Sequence, residues 1–184
     1  MLQCAEYSRN RLSGNLCLEL CQNTSSERFQ CRHIDGEGKK VIIYSKSADK
    51  KLVLKTKTFK PEELELTHLN LLKDTVSHQS LSETKMFLKT ISQDLFTTDA
   101  SFNRFMEHID LDYHTNVAAV ASAESLLHQN EYVTVNALQG HGLVPQLYGS
   151  CGNFYAVEHT PTHKSLLVNN LKVGWPWRSI GKLI

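Results

Sequence analysis

The chain has 184 residues, 41% of them hydrophobic and 21% charged, with a formal net charge of +1. That is enough chain for one domain with its own core, or for a domain and a small module. The near-neutral balance gives no electrostatic footprint for nucleic acid, so no nucleic-acid partner is expected, and no stretch approaches the ~18 apolar residues of a membrane helix.

Cys4, Cys17, Cys21 and Cys31 crowd into residues 1–33, and Cys151 stands apart. The opening segment CAEYSRNRLSGNLCLELC has a turn signal at Ser13-Gly14-Asn15 and little periodicity, so cross-links or docking must hold it. The four clustered cysteines read as two disulfides, with three possible connectivities, leaving Cys151 as a thiol inside a strand. The alternative is a Cys₃His zinc site, since Cys17-x-x-x-Cys21 has ligand spacing and Cys31 and His33 could complete it; reduced structural thiols come third. Disulfides need an oxidising compartment, and Asn23-Thr24-Ser25 is a glycosylation acceptor sequence in the same loop. Met1-Leu2-Gln3-Cys4 lacks the features of a signal peptide, so either the protein is cytosolic or a targeting segment lies upstream, and the cysteine usage favours the second.

Residues 34–58 change character. Asp35-Gly36-Glu37-Gly38 is a turn, Val41-Ile42-Ile43-Tyr44 a β-branched run, Ser47-Ala48-Asp49-Lys50 a second turn, and Leu52-Val53-Leu54-Lys55 the return strand of a hairpin ending in lysine. Residues 60–109 read as three helices. Pro61 opens the first, with Leu64, Leu71 and Leu72 on its apolar side. Ser82 caps the second, with Leu88, Ile91 and Leu95 at helical spacing, and Thr98 or Asp99 caps the third, with Phe102, Phe105, Met106 and Ile109 as its stripe.

Residues 108–121 have the layout of an EF-hand. Asp110, Asp112 and Asn116 are oxygen donors, but the turn-glycine position holds Tyr113 or Thr115 and the closing position holds Ala119 or Ala121. A hand without its bidentate closing carboxylate is degenerate, and no calcium binding is expected; the segment taken alone reads equally as an ordinary acidic helix–helix connection. An alanine-rich helix is predicted over 118–138, carrying Glu124 and Glu131. Residues 141–159 then form a hairpin: Leu143, Val144 and Leu147, a turn at Gly149-Ser150-Cys151-Gly152, and the run Phe154-Tyr155-Ala156-Val157. Beyond it come Leu166-Leu167-Val168 and Trp175-Pro176-Trp177.

The order of these parts carries more than any one of them. A strand lysine, a helix glutamate, LYGSCG and FYAVE follow a cysteine module and are interrupted by a degenerate hand. The combination resembles the divergent protein kinase domain 1 family, also called family with sequence similarity 69, over most of the chain. CAEYSRNRLSGNLCLELC resembles its opening cysteine segment, LLHQNEY its helix around the lysine-pairing glutamate, and LVPQLYGSCGNFYAVEH its fourth and fifth strands. GWPW resembles the start of its large lobe.

The resemblance implies an α+β fold: a twisted antiparallel sheet of protein-kinase small-lobe type, with an inserted helical, degenerate EF-hand-like block at about 60–121. Residues 1–33 would be the cysteine-rich segment and 34–184 the small lobe. Lys55 would hold the nucleotide's phosphates and Glu131, ten residues before His141, would pair with it; Glu124 is the alternative. Val157 would back the adenine pocket, and Glu158 and Thr160 would offer it backbone groups. The cofactor implied is ATP with magnesium, acting on an unknown lumenal protein or glycan. The setting implied is the endoplasmic reticulum, in a type II membrane protein whose anchor is not in this chain. The glycine loop is reduced to Gly36-x-Gly38, and no H-R-D or D-F-G sequence occurs before Ile184. The large lobe is therefore expected beyond 184, and no catalytic residue is assigned within the chain. The runner-up is a pseudokinase or lumenal protein-interaction module; a calcium sensor is third.

Overall fold

The computed structural model describes residues 2–22, 26–34, 39–57, 80–111 and 116–160. Within them the β-branched and aromatic runs form Phe29–Ile34 (β1), Lys39–Ser45 (β2), Lys51–Lys57 (β3), Leu147–Cys151 (β4) and Phe154–Glu158 (β5). They make one antiparallel sheet in the order β1-β2-β3-β5-β4, compatible with a kinase small lobe. Both expected hairpins are present, and β5 lies against β3 with Tyr155 opposite Lys55. β1 is additional to them. It starts at Phe29, so the sheet reaches across the boundary drawn at residue 33. The β4–β5 turn is tighter than expected: Gly149, Ser150 and Cys151 belong to β4, and the chain reverses at Gly152-Asn153. Leu143 lies outside the strand and is 76% exposed.

Alternation along the strands divides the core in two. Leu52 and Leu54 of β3 face outwards with Tyr44, Cys151 and Ala156, against Leu16, Cys17 and Leu20 of the N-terminal segment. That segment forms two short helices, Leu2–Ser8 (α1) and Cys17–Gln22 (α2). Val53, Leu147, Tyr155 and Val157 face inwards, against Leu81–Ser92 (α3), Asp99–Ile109 (α4), Asn116–Leu127 (α5) and Asn130–Ala137 (α6).

The helix α4 follows its sequence pattern. Thr98 caps it by accepting the Ser101 amide, and Phe102, Phe105 and Ile109 are buried. The helix α3 does not. Its cap is Ser80, in a reciprocal capping box with Glu83, rather than Ser82. Its buried face is Thr84, Leu88 and Ser92, while Ile91 and Leu95 are 40% and 39% exposed. Burial of the two hydroxyls is tolerated because each donates to the carbonyl four residues earlier, Thr84 to Ser80 at 3.1 Å and Ser92 to Leu88 at 2.7 Å. The helix predicted over 118–138 is two helices, α5 and α6, broken at His128-Gln129. Asp110 ends α4 in the left-handed conformation. Asp112 and the rest of the acidic loop to residue 115 lie outside the described residues, as do Asn23, Gly36-x-Gly38, the helix expected after Pro61, and Trp175 and Trp177.

The cysteine pairing corrects the sequence reading. Cys4 bonds Cys21, Cys17 bonds Cys151, and Cys31 is an exposed thiol. The reason is topological. β1 carries Cys31 to the far edge of the sheet, whereas residues 13–16 run along the outer edge of β4. Ser13 O accepts the Gly152 amide at 2.9 Å, the Leu16 amide donates to Ser150 O at 3.0 Å, and Asn15 Oδ1 accepts the Ser150 amide at 3.0 Å. This covers an otherwise open strand edge and brings Cys17 to Cys151. The same residues close the C-terminus of α4: Ser13 Oγ donates to Ile109 O at 2.7 Å, and the Asn15 amide to His108 O at 3.2 Å. The approach is so close that Gly14 (φ +143°) has no room for a side chain, since a Cβ there would overlap the Ser150 carbonyl.

Two outcomes are expected. Alkylation of the unreduced protein should modify Cys31 alone, and peptide mapping should link Cys4 to Cys21 and Cys17 to Cys151; an alkylated Cys151 would contradict the pairing. Gly14→Ala should cost ~2 kcal/mol or more in urea denaturation, because both the backbone conformation and a backbone contact oppose the added methyl.

Candidate functional site

Lys55 falls on the inner face of β3 because Leu54 and Thr56 take the outer one. An ammonium there must reach solvent or find a partner. The helix α6 supplies one: Lys55 Nζ donates to Glu131 Oε1 at 2.5 Å, with the two side chains 24% and 39% exposed. Glu131 stands in the first turn of α6, where the positive end of the helix dipole favours its charge. Glu124 is elsewhere. It lies on α5 beside Phe87, Ile91 and Leu95 of the α3 side, not over the sheet.

A third residue lies on the same face. Tyr155 is the cross-strand partner of Lys55 and is buried on the inner face. Burial, followed by the charge of the Glu131 carboxylate, raises its ionisation far above the ordinary phenol range. The Tyr155 ring packs edge-on against Tyr132, with centroids 5.4 Å apart. The Tyr132 hydroxyl in turn lies 3.2 Å from Nδ1 of buried His108.

At eight residues, α6 is too short to persist without tertiary support. Gln129 fixes its start. Its Nε2 donates to Ser125 O at 3.1 Å and to Asn153 O at 2.8 Å, while Oε1 accepts the Lys57 amide at 3.1 Å. Gln139 fixes its end, donating to Pro145 O at 2.8 Å and accepting the Leu147 amide at 3.1 Å. Between them, Asn136 Nδ2 donates to Ser101 O at 2.9 Å on α4.

The remaining predicted residues lie along β5 and past it. Val157 is buried on the inner face, one side-chain repeat beyond Tyr155. Glu158 is exposed, and its amide donates to Gln146 O at 2.8 Å, so that amide is not open to a ligand. Thr160 is exposed beyond the strand. Chemically, an ammonium oriented by a carboxylate and still partly exposed can bind a second anion such as a phosphate oxygen. Among the described residues no group of three or more His, Cys, Asp or Glu side chains is placed to hold a metal ion.

Sequence reasoning missed Tyr155, Gln129, Gln139 and the Tyr132–His108 contact. Strand parity is the signal for the first: if Val157 faces inwards, so does Tyr155. Nothing marks the glutamines, because a glutamine inside a helix-forming run is an ordinary helix former.

Two measurements probe this framework. Desolvation, and then nearby Arg104, hold the His108 pKa down from 6.5 to about 4. As pH falls, the unfolded chain takes up this proton before the folded one does. The contribution of His108 is therefore intact above 6.5 and lost towards pH 4, by ~3 kcal/mol in all. His108→Gln should remove that part of the pH dependence of urea stability; an unchanged profile would contradict it. Gln129→Leu should cost ~2–3 kcal/mol, because the Lys57 amide and the Asn153 carbonyl lose their partner.

A family model described as "N-term cysteine-rich ER, FAM69" matches residues 1–117, and one described as "Protein-kinase domain of FAM69" matches residues 123–179. Lys55 falls within the first match and Glu131 within the second, so the ion pair joins the two regions. No solved structure matches the chain. The first match spans well over half of the chain, and the second contains the α6 helix and the β4–β5 hairpin that build the inner face. The chain belongs to the FAM69 family, with its cysteine-rich N-terminal region and its kinase-like domain.

Proposed function

We propose that the inner face of the sheet is the small-lobe side of a nucleotide site, in a kinase-like protein of the ATP-dependent phosphoryl-transfer class. The observation that carries this reading is the Lys55–Glu131 pair. It joins the strand and the helix on which a protein kinase keeps its phosphate-binding lysine and that lysine's glutamate. Lys55 would hold phosphate oxygens and Glu131 would hold Lys55. Val157 would close the back of the adenine pocket, with the Glu158 carbonyl and the Thr160 backbone at its edge. The donor set fits: one partly exposed ammonium with a single carboxylate partner beside a buried apolar wall. Bound Mg·ATP supplies the phosphoryl group to be transferred; no residue described here is assigned to the metal or to acid–base chemistry.

The acceptor would be a hydroxyl of a lumenal protein or glycan. Two disulfides fit an oxidising compartment, and the name of the matching N-terminal model refers to the ER. Asn23 would then be a glycosylation site, and a type II anchor would lie outside this chain. Among the described residues no helix is long and apolar enough to cross a membrane. The connection between α4 and α5 would be a degenerate hand that does not bind calcium, having alanine where the closing carboxylate belongs.

Mg·ATP is expected to stabilise the full-length protein against unfolding, by about 2.7 kcal/mol at about 100 times its dissociation constant. Lys55→Met should abolish that gain while costing the unliganded protein no more than ~1 kcal/mol, since the pair is partly exposed. A gain that survives Lys55→Met would overturn the assignment. So would the absence of any gain in the wild type, which is the behaviour of a pseudokinase or an interaction module.

A further inference from the structure

We propose that Arg104 and Asn136 are positioning residues of the site: with Ser101, His108 and Tyr132 they form a polar seam between α4 and α6 that fixes where Glu131 stands relative to Lys55. This deepens the nucleotide-site reading and rests on it for its functional consequence.

The seam follows from helical spacing. Ser101, Arg104 and His108 are three and four residues apart, so they share one side of α4. Tyr132 and Asn136 are four apart and share one side of α6. The two rows meet in opposite order. Asn136 Nδ2 donates to Ser101 O at 2.9 Å, and Asn136 O accepts from Arg104 Nη2 at 3.0 Å. One turn earlier on α6, the Tyr132 hydroxyl lies 3.2 Å from His108 Nδ1. Ser101, His108, Tyr132 and Asn136 are all buried.

Apolar side chains at these positions would also hold the two helices together, but without direction. Hydrogen bonds supply the direction. Sliding α6 by one turn, about 5.4 Å, or rolling it about its axis breaks all three and leaves their groups buried and unpaired. The seam is not the arrangement of greatest stability, because Arg104 Nε and Asn136 Oδ1 are buried without a partner among the described residues. Its effect is to admit a single register.

One side of the seam is fixed and the other carries the site. α4 is held at its C-terminal end, where His108 O accepts from Ser150 Oγ at 2.7 Å and from the Asn15 amide at 3.2 Å. α6 carries Glu131 next to Tyr132, about 100° further round the helix. The register that the seam sets for Tyr132 is therefore also that of Glu131, which meets Lys55. The two glutamines tie the ends of α6 to the strands, and the seam ties its back to α4.

The test reads Lys55 directly and needs no nucleotide. Acylation of the folded full-length protein by a water-soluble N-hydroxysuccinimide ester, quantified at Lys55 by peptide mass spectrometry, reports how firmly the ammonium is held. Glu131→Gln should raise the rate about two- to fivefold, the range for losing a partly exposed ion pair. Asn136→Leu and Arg104→Met each remove one bond of the seam and keep most of the side-chain volume. Each should raise the rate about twofold or more, and no further than Glu131→Gln does. In a Glu131→Gln background neither should add anything, because a positioning residue acts on Lys55 only through Glu131. Loosening of the whole lobe would expose Lys55 in both backgrounds alike. An unchanged rate in either folded variant, or the same increment with and without Glu131, would overturn the proposal. Arg104 is only partly buried, so Arg104→Met carries the test even where Asn136→Leu does not fold. If these results hold while Mg·ATP fails to stabilise the protein, the seam stands and the nucleotide reading falls. If Mg·ATP stabilises it and the rates are unchanged, the seam falls alone.

Discussion

Glu131 can meet Lys55 only if α6 stays where it is, and an eight-residue helix has no means of its own to do that. Two glutamines hold it. Each uses both ends of its amide, donating to carbonyls and accepting a strand amide: Gln129 from Lys57 at the end of β3, and Gln139 from Leu147 at the start of β4. The chemistry of the side chain is specific. A glutamate of the same length cannot donate when ionised, a lysine cannot accept, and an asparagine is shorter. Each glutamine thus satisfies backbone groups where a helix ends and a strand begins or ends, and in doing so sets the height of α6 over the sheet. The Lys55–Glu131 distance follows from that setting.

The outer face constrains the same site from the other side. The cysteine-rich segment is built into the lobe. Residues 13–16 cover the free edge of β4, close the end of α4 and, through the Ser13 amide bonded to Ser122 Oγ at 3.0 Å, touch α5 as well. Cys17–Cys151 then fixes that segment across 134 residues of chain, a closure worth about 4–5 kcal/mol on the chain-entropy account. β4 is the neighbour of β5, and β5 carries Tyr155 and Val157. A disulfide on one face therefore steadies the strand that presents its side chains on the other. The two family matches describe regions that fold into one another.

Where the sequence was legible, local physics sufficed. The two hairpins follow from β-branched runs between turn residues. The stripe of Phe102, Phe105 and Ile109 on α4 follows from period and cap. Lys55 and Glu131 are named instead through the family resemblance, since local physics reads a strand-end lysine and a helix glutamate as solvated. The misses share a different cause: each depends on where a distant part of the chain arrives. Cys151 looked like an isolated strand thiol until residues 13–16 were seen to run beside it. Cys31 looked like one of a cluster until β1 carried it away. Thr84 and Ser92 are hydrophilic by any scale, yet they are buried because their hydroxyls bond to the helix beneath them, so the apolar stripe on α3 pointed to the wrong face. The break at Gln129 has no local signal, since the bonds that favour it run to β3 and to the β4–β5 turn.

The central claim is that Lys55 and Glu131 are in contact in the folded protein. Carbodiimide activation of carboxylates, followed by peptide mass spectrometry, tests it with a reagent that joins only groups already touching. Lys46 and Glu19, 2.6 Å apart at the surface, serve as the internal control for the coupling. With that control coupled, an amide between Lys55 and Glu131 is the predicted product. An amide from Lys55 to Glu124 instead, or Lys55 left uncoupled, would contradict the account.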